Sequence, residues 1–306
     1  MRPRVWLAIL VTVVMTTGFA LAAEPISIMP LGDSITAGSD GGYRKPLAQK
    51  LGEVCHCSIS TVGSQSDPSL PPAQQAHEGH PGWRIDQLSD NLLGVNPVDA
   101  GAHGGYWLVG GHGTGRAAIH PTFVTLMAGI NDLNQMIGDD PHRPMSGRSD
   151  QILQTLQQRM QKLVGTLTDT LPDSTILFGG CIPYANGLLD DQLTGATPAN
   201  RAAWARQDQV NPAQELGVNH WVLRFNQWLR DTYVPELQKQ GKKVYYVDVY
   251  SKFILPDGTV RGWNNKEPEN SAGPAGYRDY GLHPNAFGYA QMADAWAAEI
   301  AKRMEK

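Results

Sequence analysis

Five short apolar runs, separated by segments of helical periodicity, constrain the fold of this chain more than any other feature. The runs are Ile26–Leu31, Cys57–Val62, Phe123–Ala128, Ile176–Phe178 and Val244–Val249, and most are stopped by glycine. Between and after them lie Tyr43–Val54, Ile85–Leu93, Gln151–Leu171, His220–Gln240 and Ala286–Met304. In the third of these segments Ile152, Leu153, Leu156, Met160, Leu163, Val164 and Leu167 recur at the spacing of one helix face. A strand without polar alternation is buried on both faces, and a helix between successive strands is the usual parallel connection. The pattern predicts an α/β fold with a parallel sheet covered on both sides. No internal repeat or linker divides it, so one domain is expected. Two long connections, Gly94–Pro121 and Tyr184–Gly217, have the length of binding loops or lids.

The first residues read differently. Arg2 and Arg4 precede an apolar run from Val5 to Leu21, closed by the small residues of Ala20-Leu21-Ala22-Ala23. This is the pattern of a cleaved export signal, so residues 1–23 are predicted to be a leader and 24–306 the mature domain, with secreted or periplasmic destination. No stable membrane insertion is expected after cleavage. The net charge of −4 becomes −6 without Arg2 and Arg4, since the leader holds no acid. That balance argues against nucleic acid or an anionic membrane surface as a partner. Three cysteines leave at least one unpaired. Cys55 and Cys57 would point the same way from extended chain and bridge poorly. Cys181 either pairs with one of them or stays a buried thiol.

Gly32-Asp33-Ser34 follows the first predicted strand directly. Ligands of parallel sheets bind at the carboxyl ends of strands, which places Ser34 at the crevice. A serine there is a nucleophile if an imidazole takes its proton and amides meet the oxyanion. Three further stretches fall at the same sheet edge. Gly79 lies in the loop after the second strand, Gly129-Ile130-Asn131-Asp132 follows the third, and His283-Pro284-Asn285 comes between the fifth strand and the last helix.

Met29-Pro30-Leu31-Gly32-Asp33-Ser34-Ile35-Thr36 resembles the first sequence block of the SGNH, or GDSL-type, hydrolases. Gly79, Gly129–Asp132 and His283–Asn285 resemble the second, third and fifth, in order and over nearly the whole mature chain. Gly41–Arg44, Val62–Ser64 and His77–Asp86 further resemble the third family of carbohydrate esterases, whose members remove acetyl groups from xylan. The resemblance implies a three-layer α/β/α sandwich around a flavodoxin-like, five-stranded parallel sheet. It implies Ser34 as nucleophile, His283 as general base and acid, and an oxyanion hole of the Ser34 and Gly79 amides with the Asn131 side chain. It implies no cofactor, and an acylated carbohydrate or small ester as substrate.

One departure concerns the triad acid. The family places it three residues before the histidine, where this chain has Tyr280, while Asp279 stands four before. A one-residue bulge would bring the Asp279 carboxylate to the ring; a backbone carbonyl would otherwise orient it. Trp83 and Trp107 are candidates for stacking on sugar, against ordinary packing. Arg44 is a candidate substrate contact or a buried ion pair at a helix start. His77 and His80 lack a third ligand at metal-site spacing, so no metal is predicted. Gly110–Gly115 has the glycines of a phosphate loop without its lysine, which argues against a nucleotide. Two other functions use the same scaffold: a general carboxylesterase or lysophospholipase, and a carbohydrate-binding module without turnover.

Overall fold

The computed structural model describes residues 25–93, 119–137, 149–183, 217–254, 277–278 and 282–305. The leader 1–23, Trp107, Gly110–Gly115, Asp279, Tyr280 and most of the two long connections lie outside them.

Strand β1 (Ile26–Gly32) is the centre of the sheet, buried along nearly its whole length. On one side it pairs in parallel with β5 (Phe123–Met127), which pairs with β6 (Thr175–Gly179), which pairs with β7 (Val244–Val247). On its other side two segments share one sheet position. β2 (Ile59–Thr61) runs parallel to the first half of β1, with Ile26 opposite Ile59. β4 (Ala76–Gly79) runs parallel to its last residues, with Gly32 opposite Gly79. Between them the chain leaves the sheet at Gly63, where φ is +154° and a side chain would collide with the His77 backbone. It forms β3 (Gln65–Ser66), antiparallel to β4, before returning.

Counting β2 and β4 as one position, the order is the 2-1-3-4-5 of flavodoxin-like sheets. Its order reverses between β1 and β5, and the crevice of such a sheet opens there. The five predicted strands match β1, β2, β5, β6 and β7. Gly79 differs: it ends a strand of its own rather than lying in a loop. Ala76-His77-Glu78-Gly79 carries no apolar run, so nothing in its sequence reads as a strand.

Helix α2 (Arg44–Cys55) packs on the closing helix α8 (Ala286–Met304). In a separate group, α3 (Ile85–Leu93) packs on α5 (Ser149–Thr170), which packs on α6 (Gly217–Trp228). The sheet thus lies between two helical layers, the predicted three-layer sandwich. α6 continues through a π-helical turn at Leu229–Tyr233 into α7 (Val234–Lys239). The wider turn brings Trp228 and Tyr233, five residues apart, into a stack with centroids 4.8 Å apart. No described helix is long and apolar enough to cross a membrane.

The Cys55–Cys57 pair differs from expectation, and Cys181 takes one of the two places expected of it. Cys55 and Cys57 form a disulfide, with Cα atoms 5.2 Å apart, and Cys181 is the free, buried thiol. The expectation assumed extended chain. Instead Cys55 ends α2 and His56 adopts a left-handed conformation (φ 54°), which turns Cys57 back toward the helix.

Candidate active site

Ser34 opens the four-residue helix α1 (Ser34–Ala37), immediately after β1. Asp33 caps it, its buried carboxylate accepting from the Ile35 N–H at 2.9 Å. Burial pushes the Asp33 carboxyl up to about 7, against a weaker opposing pull from that amide. His283 lies on β9 (His283–Pro284), paired antiparallel with β8 (Tyr277–Arg278), with Arg278 and His283 in backbone register. Two residues later Asn285 caps α8, accepting from the Gly288 N–H at 3.0 Å. These two caps anchor the chain on either side of a single contact: His283 Nε2 is 2.9 Å from Ser34 Oγ. The candidate acid Asp279 and its neighbour Tyr280, in the connection from β8 to β9, lie outside the described residues.

Gly79 sits beside Ser34 because β4 pairs with the end of β1. A Cβ on Gly79 would collide with the backbone of Ala37, so only glycine lets α1 approach β4 this closely. The Gly79 N–H is not directed into open space: it donates to His77 Nδ1 at 3.1 Å. Burial, with help from the Arg44 charge, pushes the His77 imidazole down to about 3, which keeps that lone pair available. Asn131 is the second residue of α4 (Ile130–Ile137), which follows β5 after Gly129. One of its two Nδ2 protons is donated to the Trp83 carbonyl at 2.9 Å, and the other remains to serve a ligand. Asp132 braces this loop, as its position suggests: it accepts from the Ile85 N–H at 3.0 Å and pairs with Arg159 at 2.6 Å.

Arg44 has a place other than substrate contact. Its side chain is fully buried, donating to the Ala37 carbonyl at 2.8 Å and the Gln75 carbonyl at 3.3 Å, and pairing with Asp67 at 3.0 Å. Of the alternatives the sequence leaves open, the buried ion pair is the one observed. It holds the carboxyl end of α1, opposite the Asp33 cap. Trp83 is half-buried and stacks on the His80 ring, with centroids 4.0 Å apart and planes at 13°. His80 Nε2 in turn faces Glu78 at 2.7 Å, so one ring nitrogen of each histidine in the His-x-x-His pair serves a protein hydrogen bond.

Two residues near the site have no signal of function in the sequence. Asn226, on α6, accepts from the Cys181 N–H at 2.9 Å and donates to the Cys181 carbonyl at 2.8 Å, copying a strand partner where β6 ends. Glu78 is fully buried between two histidines.

Serine and imidazole meet at the carboxyl end of β1, with strand-end amides from β4 and a carboxamide following β5. Residues 31–291 match the GDSL-like lipase/acylhydrolase family. The chain belongs to that family. A multidomain esterase of Ruminococcus flavefaciens is 23% identical over 290 residues, covering 91% of this chain and 29% of that protein. The chain therefore spans less than a third of that relative's length. Among solved structures, an acetyl esterase variant with an acetate ion gives a TM-score of 0.51 at 19% identity, over 92% of this chain and 98% of that one. A family-three carbohydrate esterase of Clostridium thermocellum gives 0.49 at 23% identity, over 92% and 99%. The likeness to the acetyl esterase is one of fold.

Proposed function

We propose that this GDSL-like acylhydrolase is an exported serine esterase that removes acetyl groups from O-acetylated polysaccharide of the xylan type. The observation that carries the reading is the 2.9 Å contact between Ser34 Oγ and His283 Nε2 at the switch point of the sheet. Ser34 attacks the ester carbonyl as His283 takes its proton. The same imidazole then protonates the leaving sugar hydroxyl and activates a water to release acetate. The oxyanion receives the Ser34 N–H, unpaired by helix geometry at the start of α1, and the second Asn131 Nδ2 proton. The Gly79 N–H joins them by exchanging its His77 partner for the more strongly charged oxygen. Asp279 orients His283, and Trp83 and Trp107 offer aromatic faces to the sugar.

The acetyl preference is supported by the likeness of Gly41–Arg44, Val62–Ser64 and His77–Asp86 to the third family of carbohydrate esterases, and by the name of the acetyl esterase that shares the fold. Export is supported by residues 1–23. The deciding measurement compares kcat/KM on acetyl, butyryl and octanoyl esters with acetate release from acetylated xylan. Acetyl esters should be turned over fastest, and xylan should be deacetylated. Faster octanoyl turnover would replace this reading with lipase-like chemistry.

A further inference from the structure

The β4–α3 connection contains a chain of contacts that starts at a buried carboxylate and ends at Asn131. Glu78 is closed off from solvent, and four donors converge on it. Oε1 accepts from His80 Nε2 at 2.7 Å, Asn91 Nδ2 at 2.9 Å and Ser64 Oγ at 3.0 Å; Oε2 accepts from the Ser64 N–H at 2.7 Å. These donors come from the turn after β2, the end of β4 and the last turn of α3. A buried carboxylate is tolerable only when so surrounded, and the surrounding fixes the geometry of each partner.

The contact with Glu78 sets the plane of the His80 ring, and Trp83 lies stacked on that plane. The Trp83 N–H donates to the His80 carbonyl at 3.2 Å, and the Trp83 carbonyl receives Asn131 Nδ2 at 2.9 Å. The His80 N–H is itself tied to the Gly32 carbonyl at 2.9 Å, two residues before the nucleophile. Gly79 stands between the two members of the buried pair.

We propose that Glu78 and His80 are positioning residues for the oxyanion hole, holding the Asn131 carboxamide in place through the ring and carbonyl of Trp83. The proposal rests on the serine-esterase reading above. Oxyanion donors act by being fixed before charge develops, and a displacement near 1 Å can cost roughly 100-fold in rate.

The test is a double-mutant cycle between position 80 and Asn131, read on an acetyl ester. His80→Phe keeps a ring for Trp83 and removes the donor to Glu78; His80→Gln keeps a donor and removes the stack. Each should lower kcat roughly 10- to 100-fold with KM within about twofold of wild type. In an Asn131→Ala background neither should lower kcat further, because the residue they hold is already gone. Full multiplicative losses in that background would overturn the proposal and leave a general structural role. Melting curves and fluorophosphonate labelling of Ser34 accompany each variant. If one position-80 variant fails to fold, the other completes the cycle. If both unfold, the pair is structural and the proposal fails. Absence of labelling at Ser34 in the wild-type protein would instead sink the serine-esterase reading.

Discussion

Ser34 and His283 stand 249 positions apart and meet because each is anchored by a capping neighbour. Asp33 stops β1 and starts α1, so the serine emerges on the first residue of a helix; Asn285 does the same for α8 two residues after the histidine. Ser34→Ala should abolish ester hydrolysis, leaving melting behaviour and circular dichroism as in wild type, because Ser34 takes no part in either cap. Turnover comparable with wild type would remove Ser34 from the mechanism. The acid is tested separately. A carboxylate on the inner ring nitrogen fixes the tautomer and stabilises the imidazolium, and its loss from the triad of a serine protease costs up to ~10⁴ in turnover. Asp279→Asn should therefore reduce kcat by well over 10-fold, with Ser34 still labelled slowly by a fluorophosphonate. A smaller loss would indicate a Ser34–His283 dyad oriented by backbone. Ser34 was legible because it follows an apolar run directly, and His283 through its place between the fifth strand and the last helix. The burial of Arg44 was not, since a guanidinium beside glycines reads equally as a ligand contact, and only the fold of residues 67–75 around it decides.

The elements were legible in proportion to their apolar content. β1, β5 and β6 are continuous hydrophobic runs, and α5 and α8 carry long helical periodicities, so all were located within a few residues. β4 is polar and was missed, because its burial depends on partners for Glu78 that lie elsewhere in sequence. α1 and α4 are too short for a periodicity to develop. The helix that needs most support is α1, with four residues and a reactive side chain on its first. Arg44 supplies that support from the start of α2, satisfying a carbonyl at the end of α1. Arg44→Met keeps an unbranched apolar stem but leaves the Ala37 carbonyl without its guanidinium and Asp67 without its cation. This should destabilise the fold by roughly 2–3 kcal/mol, read as a lower urea midpoint with an unchanged slope. It should also reduce kcat more than it raises KM, since α1 carries the proposed nucleophile. An unchanged midpoint would mean that water replaces the guanidinium at no cost.

Stability of the molecule against pH couples two buried groups with opposite behaviour. Burial raises Asp33 from 3.8 to about 7, so between those values the folded chain binds a proton that the unfolded chain has lost. Stability then falls as pH rises. Burial and the Arg44 charge lower His77 from 6.5 to about 3, so over that interval the unfolded chain binds the extra proton and stability rises with pH. The two intervals overlap from 3.8 to 6.5, where one group offsets the other, each worth up to about 1.4 kcal/mol per pH unit. Single variants should uncover the hidden slopes. Asp33→Asn keeps an acceptor for the Ile35 N–H, as asparagine caps helices about as well as aspartate. It should be more stable than wild type, by a margin that grows by at least about 1 kcal/mol between roughly pH 4.5 and 7 and then levels off. His77→Asn keeps an acceptor for the Gly79 N–H. Its margin over wild type should be absent above pH 6.5 and grow as the pH falls toward about 3. Urea unfolding of the three proteins at about pH 4.5, 6 and 7.5 checks both slopes. A margin for Asp33→Asn that does not change with pH would mean that Asp33 ionises in the folded chain as it does in the unfolded one, and that the cap holds a charge beside Ser34.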